Sequence, residues 1–321
     1  MPKVSVIIPV YGVEKYIERC AISLFKQTLD DVEFIFVDDV TPDYSMEILN
    51  LMIDKFRLHF VEKKISVRIE RMPTNSGLAA VRRHGVKLAK GDYIIHCDSD
   101  DWIDASMLQK MYCKAQLTNS DIVVCDYYIS NGIGNNVHQK GCLNSDKNTF
   151  LKDMLYQKIS WAVWNKMIRR KLYEKGIPYP ENAVGEDMVF STFLTLNAQK
   201  ISYIQEPLYY YFYNQESIMR VVDKSSSIDK YIQLKHNTNL LISRLKDSEI
   251  DITRFIPSLK LNQCLFLNKF IVDDDVYHIW KSEMKSQWKL LFNRDVLFRY
   301  KIIYVAIITN IYPIVMKLKK L

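Results

Sequence analysis

The chain is 321 residues long, 48% hydrophobic and 25% charged, with only nine glycines and nine prolines. This balance fits a folded protein and excludes a low-complexity or disordered one, and the length points to one large domain with an appendage. The formal charge of +7 admits nucleic acid, anionic lipid or a phosphorylated small substrate, and the lack of zinc-finger spacing, RNP signature or arginine-rich arm sets nucleic acid aside.

Lys3 to Val10 is apolar and β-branched and reads as a strand. Val13 to Thr28 carries Ile17, Ala21, Leu24 and Phe25 at helical spacing, and Glu33 to Val37 is a second apolar strand ending in Asp38-Asp39. Ser45 fits the N-cap of a helix reaching about Phe56. A third strand over Ile65 to Ile69, a helix over Gly77 to Lys90, a strand from Tyr93 to Cys97, a helix over Ser106 to Leu117 and a strand over Asp121 to Tyr127 follow. Strand and helix alternate at the spacing of βαβ units, so the expected fold class is α/β, with a mostly parallel sheet covered by helices on both faces.

Past Tyr128 the pattern loosens. Ser130 to Asn148 is polar and rich in Gly and Asn, and reads as a long loop able to act as a lid. Trp161 to Ile168 is aromatic-rich, Gly176 to Gly185 is a loop, and Glu186-Asp187 opens a helix, where unpaired amides and the dipole favour negative charge. From Ser225 onward the pattern is helical. The six cysteines are scattered without a Cys-x-x-Cys pair, which points to a reducing, cytosolic compartment. Met1-Pro2-Lys3-Val4 enters a strand at once rather than a leader, and no uninterrupted apolar run reaches transmembrane length.

The stretch Gly91 to Asp101 carries the sharpest chemical signal. Its apolar strand breaks into Asp98-Ser99-Asp100-Asp101, and carboxylates just past a strand end lie where open α/β sheets bind ligands. Alternate residues of an extended chain point opposite ways, so Asp98 and Asp100 need a turn at Ser99 to share one ligand. So much negative charge calls for a cation or a donor-rich ligand. The other reading is a solvated acidic turn capping the helix after Asp104-Ala105-Ser106. Parallel strands end on one edge, so Asp38-Asp39 and Asp98-x-Asp100 can face one crevice, and this convergence outweighs either pair alone.

Taken in order, Val4-Ser5-Val6-Ile7-Ile8-Pro9-Val10-Tyr11, Ser23-Leu24-Phe25-Lys26-Gln27-Thr28, Phe36-Val37-Asp38-Asp39, Asn75-x-Gly77-Leu78-x-x-x-Arg82, Gly91-Asp92-Tyr93-Ile94, Asp98-Ser99-Asp100-Asp101 and Glu186-Asp187-Met188-Val189-Phe190 resemble glycosyltransferase family 2 over the first two thirds of the chain. The resemblance implies a GT-A fold over residues 1–215, with a nucleotide-sugar half (1–128) and an acceptor half (129–215), followed by a helical region over 216–321. It implies inverting transfer from a nucleotide sugar, a UDP-sugar in most relatives, with Mn²⁺ or Mg²⁺ as cofactor. Pro9, Tyr11, Asp39, Arg82, Asp98 and Ser99 would then line the donor, Asp39 on the base and Asp98 by the ribose. Asp100 would hold the metal on the diphosphate, and Asp187 would be the general base. Relatives of this size commonly serve bacterial surface-polysaccharide assembly, with a glycan or lipid-linked glycan as acceptor. Two departures stand out: Val40-Thr41-Pro42 replaces the usual Gly-Ser after the first acidic pair, and Arg83 replaces an Asn. A residue contacting the diphosphate near Tyr213-Asn214-Gln215 is not assignable from sequence.

The residues themselves agree with this chemistry. A nucleoside diphosphate leaves readily only when its charge is neutralised, which hard oxygen ligands with Mg²⁺ or Mn²⁺ achieve. One base without a second nucleophilic carboxylate favours single displacement with inversion. Trp164 and Lys166, with Trp161, are candidates for an acceptor floor, and Glu186 for either a structural role or an acceptor contact; for the tryptophans the core is the competing placement. Two other functions compete. A sugar nucleotidyltransferase would want a Gly-rich phosphate loop where Pro9-Val10-Tyr11-Gly12-Val13 stands, and a non-catalytic sugar-nucleotide binder would have no need of Asp187. Finally, Ile302 to Met316 is apolar, interrupted by Asn310 and Pro313, and flanked by Arg299, Lys301, Lys317, Lys319 and Lys320. This pattern fits a helix lying on an anionic membrane surface, the inner face of the cytoplasmic membrane, with docking onto its own domain or a homodimer partner as the alternative.

Overall fold

The computed structural model describes residues 1–181, 183–214, 223–246, 250–296 and 298–312. The chain divides into two compact units, 1–154 with 159–215, and 155–158 with 216–321.

The first unit is built on β1 (Val4–Val10), β2 (Val32–Asp38), β3 (Ser66–Arg71) and β4 (Tyr93–His96), paired in parallel in the order β3-β2-β1-β4. Their crossovers are α1 (Ile17–Phe25), α2 (Ser45–Lys63) and α3 (Leu78–Leu88). Val4, Val6, Ile8, Phe34, Phe36, Tyr93 and Ile95 lie in one core with Ile17, Cys20, Leu24 and Phe25 of α1. The intervening residues turn to the other face, where Gly85 of α3 comes so close that an added Cβ would sit 2.4 Å from Ile7 Cγ2. Burial on both faces is why these strands read as continuous apolar runs.

The sheet then changes character. β4 pairs antiparallel with β8 (Lys166–Arg169), β8 antiparallel with β6 (Ile122–Ser130), β6 parallel with β9 (Ile201–Phe212), and β9 antiparallel with the two-residue β5 (Trp102–Ile103). The parallel expectation therefore holds for β1 to β4, and beyond them the sheet is mixed. Between these strands lie α4 (Met107–Thr118), α5 (Lys147–Leu155) and α6 (Glu186–Asn197).

Several local expectations are corrected. Ser45 is the first helical residue rather than the N-cap; Asp43 Oδ1 accepts from its N–H at 3.2 Å and its hydroxyl at 2.5 Å. The expected lid over 130–148 contains β7 (Asn136–Gln139), paired antiparallel with β6 as a hairpin. Sequence patterning leaves residues 201–212 unassigned, whereas they form β9, a twelve-residue strand. Glu206 and Pro207 interrupt its apolar run, and the register shift beside Asp126 absorbs them.

The second unit contains α7 (Lys224–Leu245), α8 (Ile256–Leu265), α9 (Asp274–Met284) and α10 (Phe298–Ile308). α10 is anchored inside this unit. Tyr304 and Ile307 are buried, and Tyr277 Oη donates to Ile307 O at 2.7 Å. Pro313, Lys317, Lys319 and Lys320 lie outside the described residues, as does the Arg299 side chain.

Candidate active site

β1, β2 and β4 end on one edge, and three acidic segments meet there or beside it. The first is Asp38-Asp39. Asp38 Oδ1 accepts from Thr41 N–H at 2.7 Å, while Asp39 takes Ser76 N–H at 2.7 Å and Gly77 N–H at 2.8 Å on its two oxygens. Asp39 thus fixes the loop that starts α3. Val40 stands at φ +61°, a left-handed conformation unusual for a β-branched residue. The loop thus has, at a valine, the backbone that a glycine would favour. Pro9 is half-buried at the end of β1, and Tyr11 follows it, exposed, on the same edge.

The second segment is the turn after β4. Asp101 N–H donates to Asp98 O at 3.0 Å, so the chain does bend at Ser99-Asp100; Ser99 itself is buried. Asp100 is half-buried, its Oδ2 3.3 Å from Asn214 Nδ2, and Arg19 Nη2 donates to its carbonyl at 2.7 Å. Burial, then the charge of Asp98, raises the Asp100 carboxyl above its ordinary value. Asp101 is fully buried and looks inward. Its oxygens accept from Tyr209 Oη at 2.6 Å and Phe212 N–H at 2.7 Å, while Tyr209 Oη accepts Asp98 N–H at 3.1 Å.

Sequence reasoning gave Tyr209 no role; the run Leu208-Tyr209-Tyr210-Tyr211-Phe212 was the available signal. Tyr209→Phe leaves a buried carboxylate oxygen and an N–H unpaired. We expect it to lower stability by about 1–3 kcal/mol in urea titration. An unchanged midpoint would show that the hydroxyl is not what holds this turn.

The third segment starts α6. Arg82, 2% accessible, gathers it to the second: Nη2 donates to Asp98 Oδ1 at 2.5 Å, and Nη1 to Asp187 Oδ1 at 2.6 Å and to Glu186 Oε1. Burial opposes the Arg82 charge, but Asp98, Glu186 and Asp187 more than offset this and raise its pKa well above the ordinary value. Burial also lifts both α6 carboxyls, against the pull of Arg82. Accessibility separates the two acids: Asp187 keeps 27% of its side chain accessible and Glu186 only 2%. Glu186 is therefore a partner of Arg82 rather than an acceptor contact.

Two expected acceptor residues lie elsewhere. Trp164 is 5% exposed, its indole stacked on Tyr209 at 4.3 Å and on Tyr211 at 5.6 Å. Lys166 is 1% exposed, its ammonium held by Ala162 O at 2.5 Å and Asn165 Oδ1 at 3.0 Å, and burial lowers its pKa to about 8. Both belong to the interior, so the acceptor floor expected from them is not there. Trp161 is half-buried, with Nε1 donating to Met154 O at 2.6 Å.

A mixed α/β sheet with acidic strand ends facing a helix-borne carboxylate is the arrangement of a GT-A sugar transferase. The family model for glycosyl transferase family 2 matches residues 5–177, and the chain belongs to that family. It is 30% identical over 248 residues to the uncharacterized glycosyltransferase EpsJ of Bacillus subtilis (strain 168), covering 75% of this chain and 69% of that one. It is 29% identical over 309 residues to the cholesterol galactosyltransferase of Borreliella burgdorferi, covering 88% and 82%. Among solved structures, S. aureus TarS 1-349 in complex with UDP-GlcNAc superposes with a TM-score of 0.70 at 21% identity, covering 99% of this chain and 91% of that one. The protein is a glycosyltransferase.

Proposed function

We propose that the chain transfers a sugar from a UDP-sugar to a hydroxyl of a glycan or lipid-linked glycan, with inversion and with Mn²⁺ or Mg²⁺ present. The observation that carries this reading is the Arg82 bridge, which sets an accessible carboxylate, Asp187, across from the acidic turn of Asp98 and Asp100. The donor would lie along the edge formed by Pro9, Tyr11, Asp39, Asp98 and Ser99. Asp39 is already committed to Ser76 and Gly77, but a carboxylate oxygen accepts more than one hydrogen bond, so a nucleobase N–H can share it.

A divalent cation fits the residues present. Asp100 offers hard oxygen in a place where its own charge is disfavoured by burial and by Asp98. Among the described residues no three His, Cys, Asp or Glu side chains form a cage, so Asp100 is the one protein ligand we assign. When bound, the cation would neutralise the departing diphosphate. Asp187 takes the proton from the acceptor hydroxyl as its oxygen attacks the anomeric carbon from the face opposite the leaving group. No carboxylate is assigned as a nucleophile, so a single displacement follows, with inversion.

The test is a panel of nucleotide sugars with Mn²⁺, Mg²⁺ or EDTA, read for transfer to glycan acceptors, with the product anomer assigned by NMR. A UDP-sugar should support metal-dependent transfer with inverted configuration. Retention, or full activity in EDTA, overturns the corresponding part.

We further propose attachment to the cytoplasmic face of a membrane through the second unit. Residues 216–321 hold 18 Lys and Arg against 11 Asp and Glu, the whole of the chain's formal +7. The α10 side that does not face its own unit exposes Phe298 at 76%, Ile302 at 55% and Val305 at 44%. Apolar residues on a basic unit suit an anionic lipid surface. Truncation before Arg299 would also strip buried Tyr304 and Ile307, so substitution is the cleaner test. Ile302→Asp with Val305→Asp should abolish co-sedimentation with phosphatidylglycerol vesicles. If the unmodified chain stays in solution and sediments as a dimer, the surface joins two copies instead.

A further inference from the structure

Arg82 was expected to line the donor, and its geometry gives it other work. Both terminal nitrogens are engaged, toward carboxylates from two different elements, and the side chain is 2% accessible. Its Nε has no hydrogen-bond partner but is buried, so the donors that face outward are the ones already on carboxylates. We propose that Arg82 is a positioning residue: a buried two-pronged clamp that sets the distance between Asp98 on the donor side and Asp187 on the acceptor side. The inference rests on Asp187 being the base.

The chemistry of the fork supports the assignment. A guanidinium presents rigid, coplanar donors and stays charged at any working pH, so it can hold two carboxylates in a fixed relation. A lysine ammonium at the same place carries the charge but lacks this planar fork. The span matters because transfer needs the donor carbon and the acceptor oxygen aligned, and small misplacements are costly. Asp98 is also fixed through its own backbone, N–H on Tyr209 and C=O under Asp101 N–H. The clamp thus ties a rigid donor turn to the first turn of α6.

The charged and titratable groups facing Asp187 set its ionisation. They are Arg82 from α3, Asp98 from the turn after β4, Glu186 beside it on α6, Lys166 from β8, and Tyr173. Burial and Asp98 favour the protonated acid; Arg82 is the foremost of the groups that oppose them. Removing the Arg82 charge therefore raises the Asp187 pKa. A general base works only when ionised, so the acidic limb of activity must move to higher pH.

The experiment compares wild type, Arg82→Met, Arg82→Lys, Arg82→Ala and Asp187→Asn by pH profiles of kcat/KM, with UDP binding measured alongside. Arg82→Met should keep only a residual transfer, with its acidic limb shifted upward by about one pH unit or more. Arg82→Lys should keep the limb near wild type while kcat falls at least about tenfold, because charge without the fork restores ionisation but not alignment. Added guanidinium ion should restore part of the Arg82→Ala activity. A folded Arg82→Met with an unmoved limb, or Arg82→Lys with full kcat, overturns the clamp. If Arg82→Met does not fold, the lysine variant and guanidinium rescue decide the matter. Loss that appears wholly as weaker UDP binding makes Arg82 a donor residue and also overturns the inference. Failure of the underlying reading is distinct: Asp187→Asn would then remain active.

Discussion

Asp187→Asn is expected to lower sugar transfer by roughly 10²–10⁴-fold, the usual worth of a general base, while UDP affinity stays within a few-fold of wild type. The amide keeps the size of the side chain but cannot take a proton from the acceptor. The position is the more accessible of the two α6 acids, 27% against 2% for Glu186, and an acceptor hydroxyl must reach the group that deprotonates it. Burial raises the Asp187 carboxyl, so wild-type activity should fall as pH drops through that raised value, and the asparagine variant should lose this limb. Steady-state transfer across pH, with calorimetric UDP titration, checks both halves. Transfer retained within a few-fold would place the base elsewhere.

Asp100→Ala should remove the enhancement that Mn²⁺ gives to UDP binding, because it deletes the one protein oxygen assigned to the cation. Asp101 cannot substitute: it is fully buried and held by Tyr209 and Phe212. Asp98 is on Arg82. In EDTA the variant and the wild type should bind UDP alike, and with Mn²⁺ they should diverge. Equal affinities in the presence of Mn²⁺ would remove Asp100 from the metal site. Lowering pH should weaken wild-type Mn²⁺-dependent binding earlier than an ordinary aspartate would allow, since burial and Asp98 raise the Asp100 carboxyl.

Much of the donor half was legible because its signals are local. β1, β2 and β4 are buried on both faces and appear in sequence as apolar runs, and the acidic residues sit where those runs stop. Other features depend on residues distant in sequence. No window around Arg82 reveals Glu186, 104 positions away. Trp164 and Lys166 show the limit of composition: an aromatic residue and a cation suit a sugar-binding surface, yet here the indole stacks on β9 tyrosines and the ammonium is held by carbonyls. β9 itself is hidden by Glu206 and Pro207, residues a regular central strand would not carry. Val40 shows the converse, a left-handed backbone that its β-branched residue type would not suggest.

The contacts that close the acidic turn bear on when the protein becomes competent during its own synthesis. Asp101 is satisfied by Tyr209 and Phe212, which lie 108 and 111 positions later in the chain. Until a nascent chain has emerged past residue 212, that carboxylate lacks both of these hydrogen-bond donors. The early strands can pair first, since they neighbour one another in sequence, but the turn between β4 and β5 waits for a long-range closure that is entropically slow. Folding should therefore show an early phase that forms the β1–β4 core without nucleotide affinity, and a later phase in which β9 docks and binding appears.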